Sequence, residues 1–581
     1  MGCVRRIIGY LNPYWGAMLV GFAIKFTGTI MDLALPWILA YMIDDVAPTG
    51  SRPAIFAWGA VMVVCSVIAL LGNVIANRRA SAVARDATRA IRHDLFAKIE
   101  RLSSKQMDEL TVPSLISRLT TDTYNVNQTL GRIQRLGVRA PILLLGGMVV
   151  TLIQDWRLSM VLMSTLPLLA IGVAVISWRG IPLYARVQRA VDRMVRTVRD
   201  DVTGIRVIRA LSKGDYERAR FEADNLALSE EQIRADTVMA ATNPLMNLLL
   251  NGGLTAMVVA GAFLVHSGLT KPGRIIAFLT YFTIILNAIL SINKMFVMIS
   301  QATASAQRID EVLSLPEEPD SVARPERPAD AHIAFDDVSF SYNGRENDLD
   351  HISFSLPRGQ TLGVIGATGS GKSTLVLLLQ RFYHAGSGAI SIGGEDVESI
   401  GADRLHRMFG VAFQSDAFFA GTIRENIDLG RGLPMEQIER AARCAQASEF
   451  IDALPDGYDH VVHAKAVNLS GGQRQRLLIA RALAGNPEIL ILDDSSSALD
   501  YRTDAAMRAA VRREYPDTTT ILIAQRVSSV RGADQILVLE KGRMAGLGDH
   551  DSLSRTCPLY AQIERIQTGD DSIGGDEYAP A

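Results

Sequence analysis

The sequence predicts two fold classes in tandem: an α-helical bundle of six membrane spans, then an α/β domain built on a parallel sheet. Three observations carry this. Six apolar stretches of about 20 residues or more fill the first half. A proline-rich segment follows them, and beyond it short apolar runs alternate with helical patterns around a glycine-rich turn. The length of 581 residues exceeds one ordinary domain, and 48% hydrophobic content beside 21% charged residues fits spans joined to a water-facing domain.

Composition also excludes. A net charge of -2 lacks the basic excess of a nucleic-acid binder, so no nucleic-acid partner is expected. Cys3, Cys65, Cys444 and Cys557 are scattered without metal-ligand spacing, which disfavours a zinc site or a disulfide framework. The opening Met-Gly-Cys is no myristoylation signal, because Arg6 stands where Ser or Thr is required.

The expected spans are residues 15–43, 54–77, 134–154, 158–178, 240–266 and 274–300. A short amphipathic lead-in before Asn12 and Pro13 is expected to lie along the membrane surface. Short connections follow spans one, three and five. Long arginine-rich segments, 77–131 and 179–237, follow spans two and four and keep helical periodicity. The positive-inside tendency puts these segments and both termini in the cytoplasm of a multi-pass cell-membrane protein. Lys25 and Asp32 fall within the first span, where they either hydrogen-bond to other helices, pair with each other across two turns or, for Asp32, line a substrate path.

The expected domains are 1–313 for the membrane part, 314–331 for a linker marked by Pro316, Pro319, Pro325 and Pro328, 332–568 for the α/β domain, and 569–581 for a flexible tail. The runs 362–366, 488–492 and 519–524 suit strands buried on both faces. Gly366, Thr368, Gly369, Ser370, Gly371, Lys372, Ser373 and Thr374 form a P-loop after one such run and before a helical stretch. Glycines there let backbone N–H groups converge on phosphates, and the helix N-terminus adds positive potential. Lys372 is expected to reach the β- and γ-phosphates of ATP, and Ser373 to hold Mg²⁺. Asp493, ending the run that starts at Ile489, is expected to place a carboxylate near the metal.

With this P-loop, Leu469, Ser470, Gly471, Gly472 and Gln473 resemble the signature of ABC transporters. The whole chain resembles a bacterial ABC exporter half-transporter of the multidrug type, so the fold expected is the type I exporter membrane domain plus one ABC nucleotide-binding domain. The resemblance implies that Tyr342 stacks on adenine and that Gln414 is the Q-loop residue, touching Mg²⁺. It implies a D-loop at 497–500 ending in Asp500, and coupling helices near 113–122 and 211–220. It also implies two nucleotide domains paired head to tail, each ATP lying between one chain's P-loop and the other's signature.

Two positions depart from the family pattern. Asp494 stands where the family has the glutamate general base, and Gln525 where it has the switch histidine. A third departure, His463 to Ala466, replaces a glycine-rich segment before the signature. With the signature intact, the expectation is the degenerate-site member of a heterodimer, a homodimer being the alternative. The expected work is ATP-driven export of small hydrophobic or amphipathic compounds in contact with membrane lipids. The alternatives are a lipid flippase, a peptide exporter, an importer on the same fold, or an ATP-gated regulatory or channel-like subunit.

Overall fold

The computed structural model describes residues 2–326, 331–414, 417–495 and 498–568, apart from some side chains in the long helices. The expected tail at 569–581, four linker residues at 327–330 and Ser497 of the expected D-loop lie outside the described residues. The chain divides into two units, Met1–Glu100 with Thr111–Leu315, and Arg101–Leu110 with Pro316–Ala581.

The first unit is all helix. It runs α1 (Gly2–Gly9), α2 (Trp15–Tyr41) and α3 (Arg52–Glu100). After α4 (Ser104–Leu110), which belongs to the second unit, it continues as α5 (Val112–Ser117), α6 (Thr123–Gln154), α7 (Trp156–Ala210), α8 (Gly214–Ala240), α9 (Thr242–His266) and α10 (Pro272–Leu313). Among the described residues, five helical stretches are long and apolar enough to cross a membrane: Arg5–Thr49, Arg52–Glu100, Val112–Gln154, Asn247–His266 and Pro272–Ile292. The expected fourth span, 158–178, falls on α7, where several side chains lie outside the described ones.

Small residues set the packing of this unit. A Cβ on Gly72 of α3 would meet the Ile24 carbonyl of α2 at 3.2 Å and Gly28 Cα at 3.3 Å, so the two backbones approach as closely as helices in lipid can. Polar side chains then find partners across helices. Lys25 Nζ donates to Asn73 Oδ1 (2.8 Å) and Asn77 Oδ1 (3.0 Å). Of the alternatives open for this pair, bonding between helices is the one seen, and Asp32 does not pair with Lys25. It accepts from Arg139 Nη2 at 3.0 Å, because α6 brings a full cation to the carboxylate. Asp155 caps α7, accepting from the N–H groups of Arg157 (3.0 Å) and Leu158 (3.3 Å), which makes the tight turn from α6.

The segment near 113–122, expected as a coupling helix, stays with the first unit. Pro113 sits in the first turn of α5, and the residues beyond it turn inward. Asp122 is buried and accepts from Arg308 Nε (2.8 Å), while Arg118 pairs with Glu311 (2.7 Å). The preceding helix α4 is the one that joins the second unit. Ser103 and Gln106 cap it reciprocally, Gln106 Nε2 donates to the Pro316 carbonyl (3.1 Å), and Asp108 accepts from the Tyr383 hydroxyl.

In the second unit a six-stranded sheet holds the strands in the order Arg543–Gly548, Gln535–Glu540, Thr361–Gly366, Thr519–Ile523, Ile489–Asp493, Phe409–Ala412. All neighbours are parallel except the first pair. Alternate residues serve opposite faces: Ile489, Ile491, Ile521 and Ile523 join one core, and Leu490, Leu492 and Leu522 the other. This is why the strands read as unbroken apolar runs. A smaller antiparallel sheet is built from Ile333–Phe340, Leu349–Leu356, Ser387–Ile392 and Glu395–Asp396.

The proline-rich segment is strapped to this unit. Val322 N–H donates to the Glu398 carbonyl (2.6 Å), and Asp320 Oδ1 accepts from Ala402 N–H (2.9 Å). The buried Arg381 guanidinium donates to the carbonyls of Val397 (3.0 Å), Ile400 (2.7 Å) and Asp320 (2.9 Å). Removing it leaves buried carbonyls unpaired, so Arg381→Met is expected to cost about 2–4 kcal/mol. Urea denaturation of the solubilised full chain, followed by loss of ATP-analogue binding, checks this. An unchanged midpoint would contradict it.

Candidate functional site: a phosphate-binding turn and its carboxylates

The turn after strand Thr361–Gly366 is built by exclusion. A Cβ on Gly366 would lie 2.2 Å from the Leu539 carbonyl, and Gly371 takes φ +96° beside Leu349. Gly371 is the N-cap of helix Lys372–Leu379 and supplies no side-chain cap, so the first-turn N–H groups lack an intrahelical acceptor. Lys372 Nζ curls back to the carbonyls of Gly366 (3.0 Å) and Ala367 (2.8 Å). Ser370 Oγ is buried and without a hydrogen-bond partner. An anion of phosphate type fits this set of donors.

Two carboxylates face the turn. Parallel pairing puts Asp493 opposite Ile523 at the end of its strand. Asp493 is 5% exposed and lines the same cleft as Ser373. Burial raises its pKa, Asp494 raises it further, and Ser373 and Lys372 oppose this. Asp494 has φ +49°, a left-handed backbone that Asp tolerates better than most residues. Its Oδ2 accepts from both Gln414 Nε2 (3.2 Å) and Gln525 Nε2 (3.0 Å). Burial raises the Asp494 pKa too, while Lys372, Gln525 and Arg526 pull it down. Lys372 in turn is lowered by burial and held up by both carboxylates.

Thr368, Gly369, Gly371, Lys372, Ser373, Thr374, Gln414, Asp493, Asp494 and Gln525 thus share one cleft of about 260 Å³. Gly366 and Ser370 line the adjoining hollow. Tyr342 lies in a neighbouring cleft of about 640 Å³, and its hydroxyl reaches Thr374 Oγ1 at 3.3 Å. Its ring stands edge-on to Phe340 and Tyr383. Burial raises its pKa.

The signature lies elsewhere. Ser470 caps helix Gly471–Ala484, with Ser470 Oγ accepting from Gln473 N–H (3.3 Å) and Gln473 Oε1 from Ser470 N–H (2.9 Å). Neither Ser470, Gly471, Gly472 nor Gln473 lines the phosphate-side cleft. Asp500 caps helix Tyr501–Glu514, accepting from Thr503 N–H (2.9 Å) and Oγ1 (2.7 Å). Ala498 N–H donates to Gln475 Oε1 (2.8 Å), tying this segment to the signature helix. In the divergent segment before the signature, Lys465 and Ala466 both take positive φ.

Three residues at the site escaped sequence reasoning. Asp348 lines the cleft and accepts from Tyr342 N–H (2.9 Å). Tyr383 links the Tyr342 ring to Asp108. Gln567 receives Val527 N–H (2.7 Å) and donates to the Gln525 carbonyl (2.8 Å), fixing the backbone on either side of Arg526. The Tyr383 and Gln567 contacts join segments far apart in the chain, the Asp348 contact closes a local turn six residues long, and none of the three sits in a recognisable pattern.

Comparison with known proteins agrees with the two-unit fold. Residues 18–289 match the ABC transporter transmembrane region and residues 349–497 the ABC transporter family. The chain is 34% identical over 570 residues to an uncharacterised ABC transporter ATP-binding protein of Bacillus subtilis, covering 97% of this chain and 99% of that one. It is 30% identical to an ATP-dependent lipid A-core flippase of Chromobacterium violaceum, covering 97% of each. It is 32% identical to a multidrug efflux ATP-binding/permease protein of Mycobacterium bovis, covering 97% of this chain but 47% of that protein. Among solved structures, a bacterial Atm1-family ABC exporter with ATP bound superposes with a TM-score of 0.77 at 25% identity, covering 99% of both chains. The chain therefore belongs to the ABC transporter family, as an exporter-type half-transporter that joins one membrane domain to one ATP-binding domain.

Proposed function

We propose that this chain is the unequal half of a heterodimeric exporter, binding ATP at its own P-loop but turning it over slowly, and donating its signature to a hydrolytic site completed by a different half. The observation that carries this is the pair at Asp494 Oδ2, where two uncharged amides, Gln414 and Gln525, converge on a shortened carboxylate.

The residues suit MgATP. Lys372 and the N–H groups of the turn would bind the phosphates, and Tyr342 would stack on adenine. Ser373, Asp493 and Gln414 offer the oxygen ligands that Mg²⁺ prefers, and all three line one cleft. Bound there, the metal neutralises phosphate charge. Asp494 would orient and deprotonate the attacking water, but it is one methylene shorter than glutamate. A misplacement of about 1 Å costs roughly a hundredfold. Gln525 can hydrogen-bond a phosphate but does not titrate near neutrality as histidine does.

The cargo proposed is hydrophobic or amphipathic. The multidrug efflux relative supports this, and that protein's double length fits the idea that this chain is one half. The lipid A-core flippase relative favours a second reading, in which the cargo is a lipid.

Two outcomes test the proposal. Chain alone should hydrolyse ATP slowly, and turnover should rise when it is paired with a half carrying Glu and His at the equivalent positions. Robust turnover by this chain alone, abolished by Asp494→Ala, would contradict it. For nucleotide binding, Lys372→Ala is expected to weaken a fluorescent ATP analogue roughly ten- to a hundredfold, while Asp494→Ala leaves its affinity nearly unchanged. Titration of both variants decides, and equal losses would argue that Asp494 serves binding rather than hydrolysis.

A further inference from the structure

The geometry points to a site for an anionic phospholipid between α2, α3 and α6, with Arg79 as the headgroup ligand. The hollow arises from small residues. Ala17 and Gly21 on α2 face Ala76 and Ala80 on α3, and the space left is about 170 Å³. An apolar cavity of roughly 150 Å³ holds a benzene-sized molecule, so this one takes a segment of acyl chain. Trp15, Leu19 and Phe22 rim it and are 50%, 63% and 49% exposed in the single chain.

The polar end of the hollow lies at the bilayer boundary by sequence. Residues 54–76 carry no charge, and Asn77, Arg78 and Arg79 follow at once. Trp15 opens the first span, with its indole N–H on Asn12 Oδ1 at 3.1 Å, an anchor typical of membrane interfaces. Gln134 lies on α6 just before Arg135 and Arg139, beyond which α6 is apolar to Thr151. All three residues line the same hollow, so three helices reach the interface side by side.

The charge there is uncommitted. Arg139 is paired with Asp32, and Arg135 Nε donates to the Gly131 carbonyl at 3.0 Å. Among the described residues Arg79 has no carboxylate partner. Gln134 Nε2 donates to the Leu130 carbonyl (3.2 Å), leaving its amide oxygen as an acceptor for headgroup hydroxyls. A cation at the mouth of an apolar recess between spans is complementary to a phosphate ester carrying acyl chains. A zwitterionic headgroup would bring its own cation to Arg79 and gain less.

Trp15 provides the probe. The full-length chain retaining Trp15, with Trp37, Trp58, Trp156 and Trp178 changed to Phe, is placed in phosphatidylcholine nanodiscs without ATP. Part of the lipid is then replaced by brominated phosphatidylglycerol or brominated phosphatidylcholine. Quenching is expected at a roughly fivefold lower fraction of the brominated anionic lipid. Arg79→Gln should erase the preference and Arg79→Lys should keep it, with ATP-analogue affinity unchanged in both. Equal quenching by the two lipids in the unsubstituted Arg79 protein overturns the site, and so does a preference that survives Arg79→Gln. Because no nucleotide or transport enters the measurement, its result is independent of the exporter reading.

Discussion

The site depends on the parallel register of three strands. Ile523 pairs with both Asp493 and Val364, so the ends of strands 361–366, 489–493 and 519–523 reach one edge of the sheet together. Lys372 and, more than a hundred positions later, Asp493, Asp494 and Gln525 are delivered there by backbone hydrogen bonds rather than by their own attractions. The cores on both faces make that register costly to change, since a slip of one residue would exchange the Ile and Leu faces. Asp494 then enters a left-handed backbone directly after the last strand residue, with its N–H on the Ile523 carbonyl at 3.0 Å.

Much of this was legible in the sequence. The P-loop carries its own geometry in its glycines, and the continuous apolar runs announced strands buried on both faces. The convergence of Gln414 and Gln525 on one oxygen of Asp494 was not legible, because no spacing rule connects residues 414, 494 and 525. Nor was Gln567, whose role comes from the docking of helix Pro558–Thr568 rather than from any local pattern. The proline-rich segment read as a free linker for lack of periodicity, yet its bonds are made by backbone groups and by Arg381, which periodicity does not report.

In the membrane half, hydropathy found the spans but could not choose partners for charges. Lys25 and Asp32 lie two turns apart on one helix and invite pairing. The close approach of α2 and α3 at Gly28 and Gly72 instead offers Lys25 two asparagines, and α6 offers Asp32 an arginine. With Lys25 already satisfied by amide oxygens of α3, the arginine of α6 supplies the counter-charge for Asp32. The same packing at Ala76 and Ala80, with no side chain large enough to fill the gap, opens the hollow beside Arg79.

The central claim is that turnover at this chain's own P-loop is limited by the shortened carboxylate and the amide beside it. Its most direct test is restoration. The double variant Asp494→Glu, Gln525→His of this chain alone, reconstituted in lipid, is compared with the unsubstituted chain for steady-state ATP hydrolysis. The account predicts a rise on the order of a hundredfold, since the P-loop, Asp493 and the signature are all in place. Turnover that stays flat or falls in a variant that still binds ATP would contradict it.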